Sequence, residues 1–180
     1  NTIGQTSDNA IEFDVSTGEI GGCEFVRSSR DVENYPQSED FMDMLGYDMA
    51  DSTSSQTMVG PGLVIADRTL WPAGGRAENK DPRSLLNYHF FTPIDRRTHK
   101  YRYVVNMPKG QMSGKDPSKK ALDRAKDLLA DVFKEDIWAI EKQQEMCEIP
   151  DGDYHEVHLK SDLALMRGRR ILDKMYRLEA

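Results

Sequence analysis

The stretch that decides the fold is residues 122–140, LDRAKDLLADVFKEDIWAI. Its apolar positions recur every three or four residues, which is the spacing of one face of an α-helix. They are Leu122, Ala125, Leu129, Val132, Phe133, Ile137 and Ile140. We predict a helix of about 30 residues that starts near Asp116-Pro117-Ser118, where proline suits a first turn, and ends at Glu148 before a Pro/Gly/Asp turn.

The segments around this helix predict an α+β domain. Two strands are expected within residues 1–32, with a turn at 16–19 and a bulge at Gly21-Gly22, followed by a long acidic connection over 33–55. Residues 57–71 predict a strand, a turn or bulge, and a second strand; 85–92 and 99–107 predict a hairpin, and 161–178 predict a shorter final helix. Strands followed by helices are typical of an antiparallel sheet packed on helices, with room for a small apolar ligand between the layers.

Composition excludes several classes of protein. The 180 residues suit one domain, and 24 Lys and Arg against 31 Asp and Glu give a formal charge of −7, which argues against a nucleic-acid binder. No apolar run reaches the roughly 18 residues of a membrane-spanning helix. The cysteines, Cys23 and Cys147, lie far apart, so we expect no disulfide framework and a reducing, cytoplasmic location.

One carboxylate lies on the apolar stripe of the long helix. Asp136 follows Phe133 by three positions and precedes Ile140 by four, so we expect it to face the core. A carboxylate in such a position is costly unless it is paired or bound to a cation. A buried Arg or Lys, protonation for general-acid work, and a metal ion are all open, whereas exposure to solvent would argue against the metal.

The four histidines do not decide between these alternatives. His89 lies in a predicted strand and His99 begins the next one, and they do not form a recognisable metal pair. His155 and His158 have a chelating spacing but follow a polar turn, which favours solvated loop residues. The chain also lacks a nucleophile elbow, a dinucleotide-binding glycine motif and a P-loop.

Four segments of the chain resemble one known family, and they follow one another in the same order as in that family. Residues 133–144, FKEDIWAIEKQQ, resemble the F-x-E-D-x-x-x-x-E-x-Q-Q helix of Rieske-type aromatic-ring oxygenases, most closely the vanillate O-demethylase branch. The other segments are TIGQ at 2–5, HFFTP at 89–93 with THKY at 98–101, and SD at 161–162 with RRIL at 169–172. The resemblance covers nearly the whole chain.

The resemblance implies a fold and a site. The fold would be a helix-grip fold of the START/Bet v1 type, an antiparallel sheet wrapped on a long C-terminal helix with a short final helix. Residues 1–180 would be the C-terminal catalytic domain, with the N-terminal Rieske domain and two iron-ligand histidines absent from this chain. Asp136 would be the third ligand of a mononuclear Fe(II), His89 would contact substrate, and His99 would be structural.

The resemblance also implies an activity and partners. The activity would be O₂-dependent hydroxylation or oxidative demethylation of an aromatic or similar small organic substrate. Electrons would pass from NAD(P)H through a reductase or ferredoxin to a [2Fe–2S] Rieske cluster, in a cytoplasmic homotrimer that binds neither nucleic acid nor membrane. Two alternatives remain: a non-catalytic helix-grip module for small ligands, with Asp136 paired to Arg68 or Arg102, and a hydrolase that uses Asp136 with His89.

Overall fold

Six strands precede two helices in the computed structural model, which describes residues 13–37, 42, 46–95, 97–106, 119–148 and 157–179. The strands are β1 (Asp14–Ile20), β2 (Cys23–Pro36), β3 (Met49–Val59), β4 (Leu63–Pro72), β5 (Arg83–Pro93) and β6 (His99–Asn106). The helices are α1 (Lys119–Cys147) and α2 (Leu163–Glu179), and a 3-10 turn at Lys160–Asp162 leads into α2. The predicted α+β class is confirmed.

The strands form one antiparallel sheet in chain order. One row of paired residues crosses five of them in register: Val26, Met58, Val64, His89 and Tyr103. Paired residues of neighbouring strands lie on the same face, so this row and every second residue along each strand define one face of the sheet. Both helices contact it, and we call it the helix-bearing face.

The best-buried apolar residues lie on the central strands and on α2. They are Val26, Ala50, Leu70 and Ile171. Gly168 of α2 lies directly on the sheet, because a Cβ there would be 3.3 Å from the thioether of Met58. The edge of the helix is held by polar contacts: Arg167 donates a hydrogen bond to the Val15 carbonyl at 2.9 Å, and Lys174 pairs with Glu24 at 2.9 Å. The basic residues of α2 therefore partly serve to dock the helix.

The first hairpin differs from the prediction. β1 runs straight through residues 16–19, and the turn lies at Gly21-Gly22, where φ is 59° and 83°. Two consecutive residues with positive φ are what a two-residue hairpin turn demands, and glycine adopts them without strain. The glycine pair is therefore the turn itself, and the expectation of a turn at 16–19 with a bulge at the glycines was wrong.

The connection predicted over 33–55 is strand at both of its ends, so the prediction was wrong there. β2 extends to Pro36 and β3 begins at Met49. Polar composition misled the prediction, since β3 is rich in small hydroxyl residues that the sheet buries, among them Ser52 and Ser55. Such residues fit a pleated surface when their hydroxyl groups find partners.

The long helix ends as predicted but is not buried as predicted. Its predicted start at residues 116–118 lies outside the described residues, and so do the side chains of Leu122, Ala125 and Leu129. Further along the stripe, Ile137 and Ile140 are 51% and 61% exposed. A 29-residue helix is about 43 Å long, whereas six strands span only about 24 Å, so part of the apolar stripe can overhang the sheet. Neither described helix combines the length and apolarity that a membrane crossing requires.

Candidate functional site

An aromatic cluster joins the β5–β6 hairpin to α1. His89 of β5 pairs with Tyr103 of β6, and Tyr101 lies two residues before Tyr103 in the same strand. All three side chains therefore share the helix-bearing face of the hairpin. Phe133 of α1 meets all of them, with ring centroids 6.2 Å from His89, 5.6 Å from Tyr101 and 4.6 Å from Tyr103. We call these four residues the His89 cluster. It is the point at which the described side chains of α1 are fixed to the sheet.

The histidine of this cluster has a defined partner. Nδ1 of His89 lies 2.6 Å from the hydroxyl oxygen of Tyr101. We assign the hydroxyl as the donor, because within the described residues it has no other acceptor, and a buried O–H without a partner is costly. Nε2 of the neutral imidazole then carries the ring hydrogen and is free to donate to another molecule.

The surroundings favour the neutral forms of both groups. Burial lowers the pKa of His89, and the charge of Asp136 raises it less strongly. Burial likewise raises the pKa of Tyr101 to about 12, with smaller contributions from Tyr103 and Asp136. At neutral pH the cluster thus presents a protonated phenol and a largely neutral imidazole. Because the folded His89 resists protonation, this group makes the protein less stable as pH falls below about 6.5.

Asp136 lies beside this cluster but is not buried. Its carboxylate is close enough to act on the pKa values of both His89 and Tyr101, yet its side chain is exposed. The prediction of a core-facing Asp136 was therefore wrong, for the same reason that Ile137 and Ile140 are exposed. Since Asp136 is exposed, burial of its carboxylate does not argue for a bound cation.

Among the described residues, no guanidinium is paired with Asp136. Arg102 lies between Tyr101 and Tyr103 in β6 and so points to the opposite face of the sheet. Arg68 of β4 pairs with Leu85, which lies four residues before His89 in β5. No described residue forms an ion pair or a hydrogen bond with Asp136. The pairing that would have favoured the non-catalytic alternative is absent from the part of the chain that the structure describes.

The described residues supply only part of a metal site. They contain no group of three or more His, Cys, Asp and Glu residues that could enclose a metal ion. Asp136 offers one carboxylate, which suits iron, but Nδ1 of His89 is occupied by Tyr101. A mononuclear iron can thus be bound here only if further ligands come from beyond the described residues. This fits a set in which Asp136 is one ligand and two histidines come from elsewhere.

Neither of the other described histidines, His99 and His158, belongs to this cluster. His99 is exposed at the end of the hairpin, where its ring packs 5.6 Å from that of Phe91, as suits a structural residue. His158 is exposed and His155 lies outside the described residues. Both cysteines, Cys23 and Cys147, are free, in agreement with the expectation of no disulfide.

A cavity of about 640 Å³ lies between the helix-bearing face and α2. Val64 lines it and is the strand partner of His89, so the cavity begins beside the cluster and continues along the sheet. Volumes of a few hundred Å³ are typical of sites for small organic molecules. The structure therefore places a ligand-sized cavity next to a neutral histidine that can donate a hydrogen bond.

The sequence matches, over residues 1–178, the family described as the vanillate O-demethylase oxygenase C-terminal domain. The chain belongs to this family. The match confirms the resemblance inferred from the residues 133–144 motif and the three shorter segments. None of the curated proteins compared with this chain matches it.

Solved structures of dicamba monooxygenase share the fold of this domain. The apo enzyme superimposes with a TM-score of 0.68 at 18% identity, over 94% of this chain and 51% of that one. The enzyme with non-haem iron and dicamba gives a TM-score of 0.62 at 17% identity, over 99% of this chain and 51% of that one. The domain thus spans about half the length of the structures it matches, and the likeness establishes the fold.

Sequence reasoning singled out His89 and Asp136 as candidates but missed the residues that contact His89. Tyr101 and Tyr103 alternate in β6, a period-two signal that places them on one face, yet their pairing with His89 depends on the hairpin register. Phe133 was read only as one position of the apolar stripe. No sequence signal identified Asn87, whose side-chain oxygen is buried in the structure.

Replacing Tyr101 with phenylalanine should raise the pKa of His89. The hydroxyl stabilises the neutral imidazole by donating to Nδ1, and its loss leaves a lone pair free to take up a proton. The variant also lacks the Tyr101 hydroxyl, so the titration that belongs to its pKa of about 12 should disappear. Imidazole resonances followed by NMR across the pH range measure both effects. Tyr103→Phe is the matched control, and an equal shift in that variant would show that the hydrogen bond is not the cause.

Proposed function

We propose that this domain is the catalytic half of an iron-dependent oxygenase, with Asp136 as a ligand of a mononuclear Fe(II) and His89 as a substrate-binding residue. The observation that carries the proposal is the family match over residues 1–178. The charge of Asp136 acting on the His89 cluster supports it, since a ligand carboxylate and a substrate-binding residue must lie close together. The reaction would be hydroxylation or oxidative demethylation of an aromatic or similar small organic molecule.

The residues of this chain have distinct tasks in the proposed site. A carboxylate and two imidazoles would hold Fe(II), which would supply O₂ activation. Asp136 contributes the carboxylate. His89, held by Tyr101, offers its Nε2 hydrogen to a substrate acceptor, and this contact orients the molecule. Phe133 packs against Tyr103, with ring centroids 4.6 Å apart, and places aromatic surface beside His89.

Because Asp136 is exposed, the proposal requires another segment to cover this part of α1. Ile137 and Ile140 both follow Asp136 in sequence and are exposed, and a monomeric soluble domain seldom leaves several large apolar residues uncovered together. We infer that a ligand-bearing segment beyond the described residues covers this part of α1. The proposal extends to an N-terminal Rieske domain with a [2Fe–2S] cluster, a reductase or ferredoxin donor using NAD(P)H, a homotrimer and a cytoplasmic location.

The test uses the complete protein. We expect its reading frame to encode, before Asn1, a Cys-x-His … Cys-x-x-His pair followed by two closely spaced histidines. The purified protein should hold one mononuclear iron in addition to a [2Fe–2S] cluster per subunit, which iron analysis and electron paramagnetic resonance distinguish. A complete protein with neither the motifs nor the mononuclear iron would contradict the proposal.

One observation favours a second candidate function. A cavity of about 640 Å³ combined with an exposed Asp136 would equally suit a helix-grip module that binds a small ligand without chemistry. The same experiment separates the two, because such a module would bind ligand without containing iron. A hydrolase in which Asp136 orients His89 is disfavoured, since Tyr101 already occupies Nδ1 of that histidine.

A further inference from the structure

The hydrogen bond between Tyr101 and His89 joins a phenol directly to a base. Nδ1 of His89 lies 2.6 Å from the hydroxyl oxygen of Tyr101, within the range over which a proton passes from one group to the other. The neutral imidazole has a lone pair at the nitrogen that accepts the hydrogen bond. The phenol of Tyr101 therefore has a proton acceptor in place and does not need water to lose its proton.

That proton transfer becomes favourable when Tyr101 loses an electron. In the resting protein the proton stays on oxygen, because a phenol is a weak acid and burial raises the pKa of Tyr101 to about 12. A phenol that has lost one electron is a strong acid, and a hydrogen-bonded imidazole takes up its proton. The products are a neutral tyrosyl radical and an imidazolium, which the charge of Asp136 favours. A base in this position makes the tyrosine easier to oxidise.

Aromatic rings surround this hydrogen bond. Phe133 lies edge-on to both partners, with interplanar angles of 89° to His89 and 85° to Tyr101. Phe91 stacks on Tyr101 with ring centroids 5.2 Å apart, and Tyr101 is half-buried. Aromatic carbon offers the phenol no competing acceptor, so these rings favour transfer of the proton to His89.

One of the rings beside Tyr101 is itself oxidisable. Phenyl and imidazole rings hold their electrons more tightly than a phenol does, which leaves Tyr103 among the described ring contacts of Tyr101. The two tyrosine rings lie 28° from parallel, with centroids 5.9 Å apart. Tyr103 is 39% exposed, whereas Tyr101 is half-buried. The two neighbouring phenols thus connect the interior of the His89 cluster to solvent.

We propose that Tyr101 and Tyr103 form a redox-active pair that conducts an oxidising equivalent from the interior of the His89 cluster to the protein surface. A one-electron oxidant takes an electron from Tyr101, and the phenol proton moves to Nδ1 of His89. The Tyr101 radical then takes an electron from Tyr103 and recovers its proton from His89, while Tyr103 releases its own proton to water. A soluble reductant such as ascorbate returns an electron and a proton to Tyr103, and this last step draws the transfer outward.

The role of the pair rests on the proposed function. An enzyme that activates O₂ produces strong oxidants, which attack the protein when no substrate is bound. The charge of Asp136, the proposed iron ligand, acts on both His89 and Tyr101, so the pair lies beside the place where such an oxidant would arise. By reducing the oxidant one electron at a time, the pair protects the neighbouring side chains. The redox activity itself rests on the hydrogen bond and the ring contacts.

Photochemical oxidation of the complete protein, stripped of mononuclear iron and without O₂, tests the pair. Light, tris(bipyridine)ruthenium and an electron acceptor generate a one-electron oxidant in solution, and a [2Fe–2S] cluster kept oxidised gives no signal in electron paramagnetic resonance. We expect a tyrosyl radical signal that is mostly lost in Tyr101→Phe. Tyr176→Phe, which removes an exposed tyrosine of α2, is the matched control and should keep the signal. A signal that persists in Tyr101→Phe would overturn the proposal.

Two further variants test the separate roles of His89 and Tyr103. His89→Gln keeps an acceptor for the phenol but no base, so formation of the Tyr101 radical should slow by about tenfold or more. Tyr103→Phe removes the exposed phenol, so reduction of the radical by ascorbate should slow several-fold. Circular dichroism confirms the fold of each variant. In the wild type, which needs no substitution, the radical should form more slowly in D₂O than in H₂O. An unchanged rate in either folded variant, or equal rates in the two solvents, would overturn the proposal.

These measurements separate the pair from the function on which its role rests. A protein that forms the Tyr101 radical but contains no mononuclear iron would retain the pair and refute the oxygenase. A protein that contains iron but forms no such radical would retain the oxygenase and refute the pair. With iron, O₂ and electrons but no substrate, Tyr101→Phe and Tyr103→Phe should be inactivated sooner than the wild type, with oxidised side chains near His89 in mass spectrometry. Equal lifetimes of the variants and the wild type would overturn the protective role.

Discussion

Replacing Asp136 with alanine in the complete protein should abolish both the mononuclear iron and substrate oxidation. A ligand set of two histidines and one carboxylate loses a third of its donors and its only charged one, which leaves the metal weakly bound. We expect mononuclear iron to fall below a tenth of the wild-type content, while the [2Fe–2S] cluster is retained. Metal analysis combined with electron paramagnetic resonance measures the two populations separately.

Because Asp136 is exposed, replacing it should leave the fold of the domain intact. An exposed helical aspartate contributes little to folding, and alanine has the higher helix propensity, so α1 should remain intact. Glu141 lies further along the same helix and is also exposed, which makes Glu141→Ala the matched control. If Asp136→Ala kept its full iron content, Asp136 would not be a ligand, whatever happened to turnover.

The sequence was informative where a pattern is local and periodic. The spacing from Val132 to Ile140 predicted α1, and the alternation of Tyr101, Tyr103 and Val105 predicted β6. Both signals depend only on which residues share one face of a helix or strand. For the same reason the α+β class could be predicted before any contact was known.

The burial of Asp136 could not be predicted in this way. Periodicity shows that Asp136, Phe133 and Ile140 share one side of α1, but not how much of that side the sheet covers. Phe133 packs on the β5–β6 hairpin, whereas Ile140 is 61% exposed. Coverage is a tertiary property that depends on the length of the helix relative to the sheet and on what else packs there.

The His89 cluster was beyond local reasoning for a similar reason. His89 and Tyr101 are 12 positions apart in sequence, and only the register of β5 and β6 brings them together on one face of the sheet. Long-range strand register is fixed by the whole sheet, so no short motif can reveal it.

Asp51 is the clearest case of a residue whose role only the structure reveals. It lies in the segment predicted to be an acidic connection, yet it is 5% exposed in β3. Its carboxylate accepts hydrogen bonds from the Asn34 amide at 2.9 Å and the Gly74 amide at 2.9 Å. Asn34 has a φ of 50° at the irregularity in β2, and Gly74 has a φ of 76° in the turn after β4. One side chain therefore satisfies amides that the sheet ladder leaves free at two separate places.

Replacing Asp51 with alanine should destabilise the domain by about 3 kcal/mol or more, since each lost hydrogen bond to a buried charge is worth roughly 1.5–3 kcal/mol.

The hydrogen bond from Asn34 is the largest cause of a lowered pKa for Asp51, so the unfolded chain binds a proton more readily than the folded one. The stabilisation by Asp51 is thus present above pH 4 or so and lost as pH falls through the folded pKa, a dependence that Asp51→Ala should lack.

Hydrogen exchange provides the local measurement of this effect in the complete protein. The Asn34 and Gly74 amides should exchange much faster in Asp51→Ala, because both lose their acceptor, while amides in the β5–β6 hairpin should change less. Glu19→Ala, at an exposed position of β1, is the matched control and should leave both amides protected. Unchanged protection in Asp51→Ala would mean that the ladder, and not this carboxylate, holds the β2 irregularity in place.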